Sequence, residues 1–327
     1  MNVLFVNYGD FTTNSLNHIG GFANTLCRRG HACAVAVPFR PETVDSLPSA
    51  LFIPVAFAKA LERPHLFPDG RGPDIIHAWT PREWVREFVV AYQAKLEKPA
   101  RLIVHLEDNE AYLIEAFTGL SIEELLRLPE TERARRLSGA LSHPLRRENL
   151  LRLADAVTVI EERLREHVPP DTPTHLLLPG LDPAFVAPLR PDPALRGELG
   201  IGPDERVITF TGSTSFASEP EIRELYLAVA RLNELGHPTR LIRTGYSSPQ
   251  FRDSLPSAVA RHVIDLGIIE KHRLPGLLAL ADALVQPGRP GPFNDYRLPS
   301  KLPEFLASGR PVVTPASNLG LRLRDGE

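Results

Sequence analysis

The chain has 327 residues, 43% of them hydrophobic and 24% charged, with a formal net charge of -3. That length exceeds what one hydrophobic core usually supports, so two domains are expected, and the charge supplies no basic field for a nucleic-acid partner. Cys27 and Cys33 are too few for a disulfide framework; with no export signal after Met1 and no apolar run of about 18 residues, the sequence reads as that of a cytoplasmic protein.

Along the chain, short apolar runs alternate with segments of helical period, the pattern of parallel sheets covered by helices. Strands are predicted at Val3–Asn7, Ala32–Val37, Leu51–Val55, Asp74–Ala78, Leu102–His105, Ala156–Ile160 and His175–Leu178, each apolar enough for burial on both faces. After the first of them, Gly20-Gly21 is expected to open a helix and leave backbone N–H groups free for a ligand. Thr80-Pro81-Arg82-Glu83 predicts another helix, with an N-cap threonine, proline at the first helical position and Trp84, Val85, Phe88 and Val89 on one face.

From 107 to 152 runs a mostly helical excursion, opened by Ser121-Ile122-Glu123-Glu124 and containing Arg133, Arg135, Arg136, Arg146 and Arg147. Such a charge run is a solvated helix surface or, on a sharper reading, a contact for an anionic acceptor or a lipid surface. Repeated prolines between Pro179 and Pro203 argue against a continuing helix or central strand. They place a linker at 181–203 between domains 1–180 and 204–327. The second domain repeats the alternation, with strands at Val207–Thr211, Thr239–Thr244, Val263–Leu266, Ala283–Gln286 and Pro311–Thr314. Its first helix carries a capping box at Ser218–Glu221 and a stop at Gly236. The fold class is therefore α/β, with two successive doubly wound domains.

In open parallel sheets ligands bind beyond the carboxyl ends of the strands. That rule selects Tyr8 to Gly21, Trp79, His105 to Glu110 and Glu161 in the first domain, and Gly212 to Thr214, Arg243 to Gly245, Gly267 to Ile269 and Gln286 to Glu304 in the second. NYGDFTTNSLNHIGGF lacks the G-x-G-x-x-G spacing of dinucleotide folds, which argues against a nicotinamide or flavin enzyme. His105 stands at a strand end before Glu107, Asp108 and Glu110; a histidine there can polarise a sugar hydroxyl, and the carboxylates can bind hydroxyls or stabilise positive charge at an anomeric carbon. The triplet Asp108-Asn109-Glu110 also has the look of a metal-binding cluster, but no second ligand group accompanies it, and no metal is expected.

The stretch ALADALVQPGRPGPFNDYRLPSKLPEFLASGRPVVTP sends a strand into a Pro- and Gly-rich loop and then a short helix beginning near Ser300. Lys301 and Glu304 project from its first turn, where a cation can meet phosphate and a carboxylate can accept ribose hydroxyls. These residues resemble the donor-binding region of glycosyltransferase family 4, in the subgroup with a P-S-K-L-x-E-[FY]-L-A-x-G-[RK]-P-V core. GGFANTLCRRGHACAVAVP, PDIIHAW, ADAVTVI, LPGLDPAF and FTG extend the similarity over nearly the whole chain.

The resemblance implies the GT-B fold, two Rossmann-like domains facing a cleft, with the donor held mainly by the C-terminal domain and the acceptor by the N-terminal one. It implies a retaining hexosyltransferase that uses a UDP- or GDP-sugar, without cofactor or metal, and a glycan or lipid-linked acceptor of polysaccharide biosynthesis, with peripheral contact at the inner membrane face. By resemblance Glu304 holds the ribose, Gly267 and Ile268 contact the base, Gly212 lies beside the diphosphate, and His105 with Asp108 is catalytic. Gly20, Gly21 and Trp79 fall on the acceptor side.

Three departures stand out. Eight residues before Glu304, where the family places a paired glutamate, stands Tyr296 with Asp295 beside it. Ser213 and Ser218 replace the family's arginine and lysine, so either Arg243, Arg297 or Lys301 supplies the charge for the diphosphate or the site is weakened; Ser300 is a further donor-binding candidate. At Glu327, where the family leads into C-terminal closing elements, the sequence ends, so either it is a fragment or those elements are expected to be absent. These departures keep open a non-catalytic nucleotide-sugar-binding subunit and, further off, a sugar-nucleotide epimerase.

Overall fold

The structure, a computed structural model, describes residues 1–47, 49–186, 188–191, 193–214 and 218–326. It divides into two compact units, Met1–Gly180 and Leu181–Glu327. The first carries a parallel sheet of β1 (Asn2–Val6), β2 (Ala32–Val37), β3 (Ile53–Ala56), β4 (Ile75–Trp79), β5 (Arg101–Leu106), β6 (Ala156–Val159) and β7 (Thr174–Leu176). Their order is β3-β2-β1-β4-β5-β6-β7. Every residue of β1 is buried, as a strand covered by helices on both faces requires.

Helix α1 (Ser15–Arg28) lies on this sheet because Leu16, Ile19 and Ala23 recur on one face and join Val3, Phe5, Val35, Val37 and Trp79 in a single core. It begins at Ser15, so Gly20 and Gly21 sit within the helix rather than opening it, and their N–H groups lie inside the helical ladder. The sequence reading looked for the helix start at the glycines; the physical start lies where the chain turns after Thr13, whose carbonyl accepts from Leu16 N at 3.1 Å.

Then follow α2 (Phe57–Glu62), α3 (Glu83–Gln93) and the excursion helices α4 (Glu110–Thr118), α5 (Ile122–Arg127), α6 (Glu130–Arg136) and α7 (Arg147–Leu153). Thr80 does not cap α3. Its backbone is left-handed (φ 72), whereas an N-cap needs extended geometry, which Arg82 supplies. The first amides of α3 are satisfied by the excursion instead: Glu83 N donates to Leu141 O at 3.0 Å and Trp84 N to Gly139 O at 2.9 Å. The capping box at Ser121 forms as predicted, with Glu124 closing it.

The second unit contains α8 (Pro193–Glu198), β8 (Arg206–Thr211), α9 (Glu219–Glu234), β9 (Thr239–Thr244), α10 (Pro249–Asp253), α11 (Ser257–Ala260), β10 (Val263–Asp265), α12 (Leu274–Leu280), β11 (Ala283–Val285), α13 (Leu302–Ala307) and β12 (Val312–Val313). Its parallel sheet runs β10-β9-β8-β11-β12. Ser218 occupies the N-cap of α9 in a helical conformation and makes no side-chain capping bond, contrary to the expected box; Gly236 ends that helix with φ 83. The proline-rich stretch read as a linker packs into this unit through Leu181, Phe185 and Leu189, against Leu278, Leu284 and Phe305.

Candidate functional site

In both sheets the strand order reverses next to the first strand, between β1 and β4 and between β8 and β11. Ligands of doubly wound sheets bind at such switch points, beyond the carboxyl ends.

In the first unit, Ser15 Oγ donates to Glu107 Oε1 and Trp79 Nε1 donates to Oε2 at 2.7 Å, fixing the carboxyl group from both sides. Burial pushes the Glu107 pKa up to about 7, and neighbouring Asp108 adds to the rise; Ser15, Arg82 and Trp79 oppose it. Arg82 stacks over the Tyr8 ring at 3.8 Å from its centroid, lies 3.2 Å from Asp108 through Nη2, and reaches Glu110 through Nε at 3.3 Å. Ser142 Oγ donates to Glu110 Oε2 at 2.8 Å. Burial raises the Glu110 carboxyl above its ordinary range. Burial would lower Arg82, but Glu110, Tyr8 and Asp108 together hold its charge firmly, and its pKa rises on balance.

His105 is buried, its ring 4.1 Å from that of Trp79, with Nδ1 2.9 Å from Thr158 Oγ1 and Nε2 without a partner among the described residues. Burial, and then His77 and His18, hold its pKa well below the ordinary value, so the ring is neutral. Thr80, whose N donates to His105 O at 2.9 Å, keeps its strained φ in a fully buried setting with Oγ1 unsatisfied.

Of the residues expected here, Asp108 is committed to Arg82, and the acidic triplet is organised by that arginine rather than by mutual proximity. Trp79 is wholly buried and reaches the rim through its indole N–H alone, not as an exposed face for an acceptor. Gly20 is buried mid-helix and Gly21 is exposed. In the excursion, Arg136 pairs with Glu132 at 3.1 Å and Arg146 with both Glu83 and Glu130 at 3.0 Å, the behaviour of a solvated charged face. Arg82, Ser142 and Thr158 were not singled out in sequence. Arg82 looked like part of a helix start, and only the fold brings the other two to the rim.

In the second unit, Gly212 to Thr214 follow β8. A β-carbon built on Gly245 (φ +95) would lie 2.5 Å from the Gly212 carbonyl carbon, so glycine is required there by both conformation and space. Arg243 is fully buried. Its Nη1 meets Asp265 at 3.0 Å, and its Nη2 reaches Gly212 O, Thr214 Oγ1 and Tyr246 O at 3.2, 3.0 and 2.6 Å, so it shapes this loop from behind. Ser213 Oγ accepts from Tyr246 N at 3.0 Å.

Lys301, the N-cap residue of α13, points back to this loop, with Nζ 5.6 Å from the centroid of the Phe210 ring, and it makes no hydrogen bond or ion pair among the described residues. Burial, followed by Arg297 nearby, holds its pKa down to about 8; Glu304 opposes this. Glu304 likewise has no partner among the described residues, and burial pushes it up to about 7 against the pull of Lys271 and Lys301. Arg297 stacks over Phe293 at 3.9 Å and donates through Nε to Asn294 at 3.3 Å. Asp295 lies in the turn Asn294–Tyr296, and Ser300 immediately precedes Lys301; both are partly buried. Gly267 (φ +61) accepts from Gly245 N at 2.6 Å, and Ile268 beside it is 82% exposed, an isolated apolar surface beyond β10. Among the described residues no group of histidine, cysteine or carboxylate side chains is arranged to hold a metal ion, and no helix is long and apolar enough to cross a membrane.

The sequence matches no protein-family model and no curated protein. Among solved structures, the chain is similar to the Anabaena protein HepE in complex with UDP-glucose, at 16% identity over 99% of this chain and 83% of that one, with a TM-score of 0.68. It is also similar to sucrose-phosphate synthase from Thermosynechococcus elongatus (15% identity, 97% and 82% covered, TM-score 0.62). A third likeness is to WaaG, a glycosyltransferase involved in lipopolysaccharide biosynthesis (17% identity, 95% and 80% covered, TM-score 0.62). Likeness at this level of identity establishes architecture: two parallel-sheet Rossmann-like units of the GT-B type.

Proposed function

We propose that this protein is a glycosyltransferase that takes a sugar from a nucleotide-diphosphate donor, with retention at the anomeric carbon and without a metal ion, and passes it to a glycan or lipid-linked acceptor. The observation that carries the reading is the pair at the start of α13: an ammonium on Lys301 beside Gly212 and a carboxyl on Glu304 in the same helical turn, neither with a hydrogen bond or ion pair among the described residues. Unpaired, partly buried charges are costly unless a ligand completes them. A diphosphate and a ribose are the complementary groups, and the UDP-glucose bound to HepE supports that choice.

With Arg243 engaged in the loop, Lys301, lying against Gly212, is suited to meet the growing charge on the leaving diphosphate, and Arg297 adds positive charge beside it. Ile268 is suited to lie against the base, and Ser300, next to Lys301, and Asp295 remain candidates for the donor site. The retaining and metal-free parts of the reading rest on the family resemblance of the SKLPEFLASGRPV stretch.

Thermal shift with UDP, GDP and their nucleosides tests the binding half, since a ligand selective for the native state raises stability by mass action. Release of UDP or GDP from the matching nucleotide sugars tests the chemistry. A chain stabilised by no nucleoside diphosphate is not this enzyme. One that binds but never releases nucleotide is a nucleotide-sugar-binding protein, a reading that the serines at 213 and 218 also suit.

A further inference from the structure

Thr158 Oγ1 sits between two imidazoles, 2.9 Å from His105 Nδ1 and 3.2 Å from His77 Nε2. The three side chains lie on one face of the sheet, because His105 pairs in register with Thr158 and His77 stands two residues before Trp79, the partner of His105 on β4. A threonine hydroxyl has one proton to give and lone pairs with which to accept. Both rings are neutral, so each has one protonated and one bare nitrogen. Two bare nitrogens facing the hydroxyl would compete for one proton, and two N–H groups would leave that proton without an acceptor. One ring therefore donates to Thr158 and the other accepts, and their tautomers are fixed in opposite senses.

The outer nitrogens decide which. His105 Nε2 is buried without a partner among the described residues, on a residue 1% exposed, whereas His77 retains 8% exposure. A buried N–H with no acceptor costs more than a bare lone pair. The lower-cost arrangement puts the His105 proton on Nδ1, donating to Thr158; Thr158 donates to His77 Nε2, and His77 carries its own proton on Nδ1.

We infer that Thr158 and His77 are positioning residues that hold His105 in the Nδ1–H tautomer, so that its bare Nε2 is kept as a hydrogen-bond acceptor for a ligand hydroxyl. That the hydroxyl belongs to a sugar rests on the proposed glycosyl transfer; the tautomer does not. Neither Thr158 nor His77 needs to touch the ligand to act in this way.

Two-bond proton–nitrogen correlation spectra of the imidazoles test the tautomer directly. Wild type is expected to have a protonated Nδ1 and a bare Nε2 at His105, and Thr158→Val is expected to shift the proton to Nε2. In turnover of the nucleotide sugar, Thr158→Val should lower the maximal rate roughly five- to tenfold with the nucleotide dissociation constant unchanged, and Thr158→Ser should restore both spectrum and rate. A wild-type Nε2–H tautomer, a tautomer indifferent to Thr158→Val, or a serine variant that fails to restore would overturn the inference. If Thr158→Val does not fold, His77→Phe provides the same spectral test among its aromatic neighbours Phe5 and Trp79. A wild-type chain with no turnover would count against glycosyl transfer, and the spectra alone would then decide the tautomer.

Discussion

The end of the Lys301 side chain lies directly against Gly212: a β-carbon added to that glycine would come within 2.8 Å of Cε and 2.9 Å of Nζ. Gly212→Ala is therefore expected to displace the ammonium rather than the backbone, at a folding cost below about 1 kcal/mol. UDP and GDP should bind about tenfold more weakly, while uridine and guanosine bind as before. Calorimetry on the folded variant checks this; equal losses for nucleosides would mean that the methyl group disturbs the whole loop.

The roles proposed for Glu304 and Lys301 imply opposite pH limits on nucleotide binding. The Glu304 carboxylate, proposed to accept ribose hydroxyls, forms as pH rises through about 7, and the Lys301 ammonium, proposed to meet phosphate, is lost as pH rises through about 8. Affinity for UDP or GDP is expected to peak between these values. Glu304→Gln should remove the acidic limb and weaken binding by about 1 to 3 kcal/mol. Lys301→Arg, whose charge does not titrate in this range, should remove the alkaline limb. A flat profile in wild type would sink the assignment of both residues.

Arg82 holds two carboxylates and an aromatic ring in a buried setting. Arg82→Met would leave Glu110 buried without its cation, and a loss of roughly 3 to 5 kcal/mol is expected. Lysine cannot reproduce the planar contact with Tyr8 together with two carboxylates, so Arg82→Lys should recover only part of it. Urea unfolding of the two variants measures the difference; near-wild-type stability in either would mean that the network contributes little.

Acid should destabilise the first unit through its buried histidines, a loss that Glu107 and Glu110, whose pKa values burial raises, partly offset by taking up protons in the folded state. Burial holds His18 and His77 down to about 4, below the value near 6.5 of an unfolded chain. The unfolded state binds these protons first, so the stabilisation is complete above about pH 6.5 and is lost as pH falls toward 4. Each histidine accounts for roughly 3 kcal/mol of that loss. Between pH 7 and 4.5 the urea midpoint should fall less in His18→Leu than in wild type, because one of the buried histidines that resist protonation, with His77 and His105, is gone.

Much of this was legible in one dimension. All twelve predicted strands form, and β2 and β9 run over Ala32–Val37 and Thr239–Thr244 as read from the apolar runs, because a strand buried on both faces writes its pattern locally. Helix starts were harder. Gly20-Gly21 and Thr80 were read as openings, yet α1 starts at the turn after Thr13, and α3 at the point where carbonyls of Gly139 and Leu141 meet its free amides. Those carbonyls lie more than fifty residues away in the chain, so no local rule could find them. The same holds for Arg243, which as a strand-end cation looked ready for phosphate. Only tertiary packing reveals that Asp265, Gly212, Thr214 and Tyr246 already occupy it.

The close approach of Gly245 to Gly212 also constrains how such a protein can diverge. The obstacle to a side chain at 245 is main chain, 2.5 Å from the added β-carbon, and no change of rotamer relieves it. Relatives that share this loop are expected to keep glycine there whatever nucleotide they bind. If the proposed base contact at Ile268 holds, drift toward a different base falls to that position, which is open to solvent and carries little packing demand.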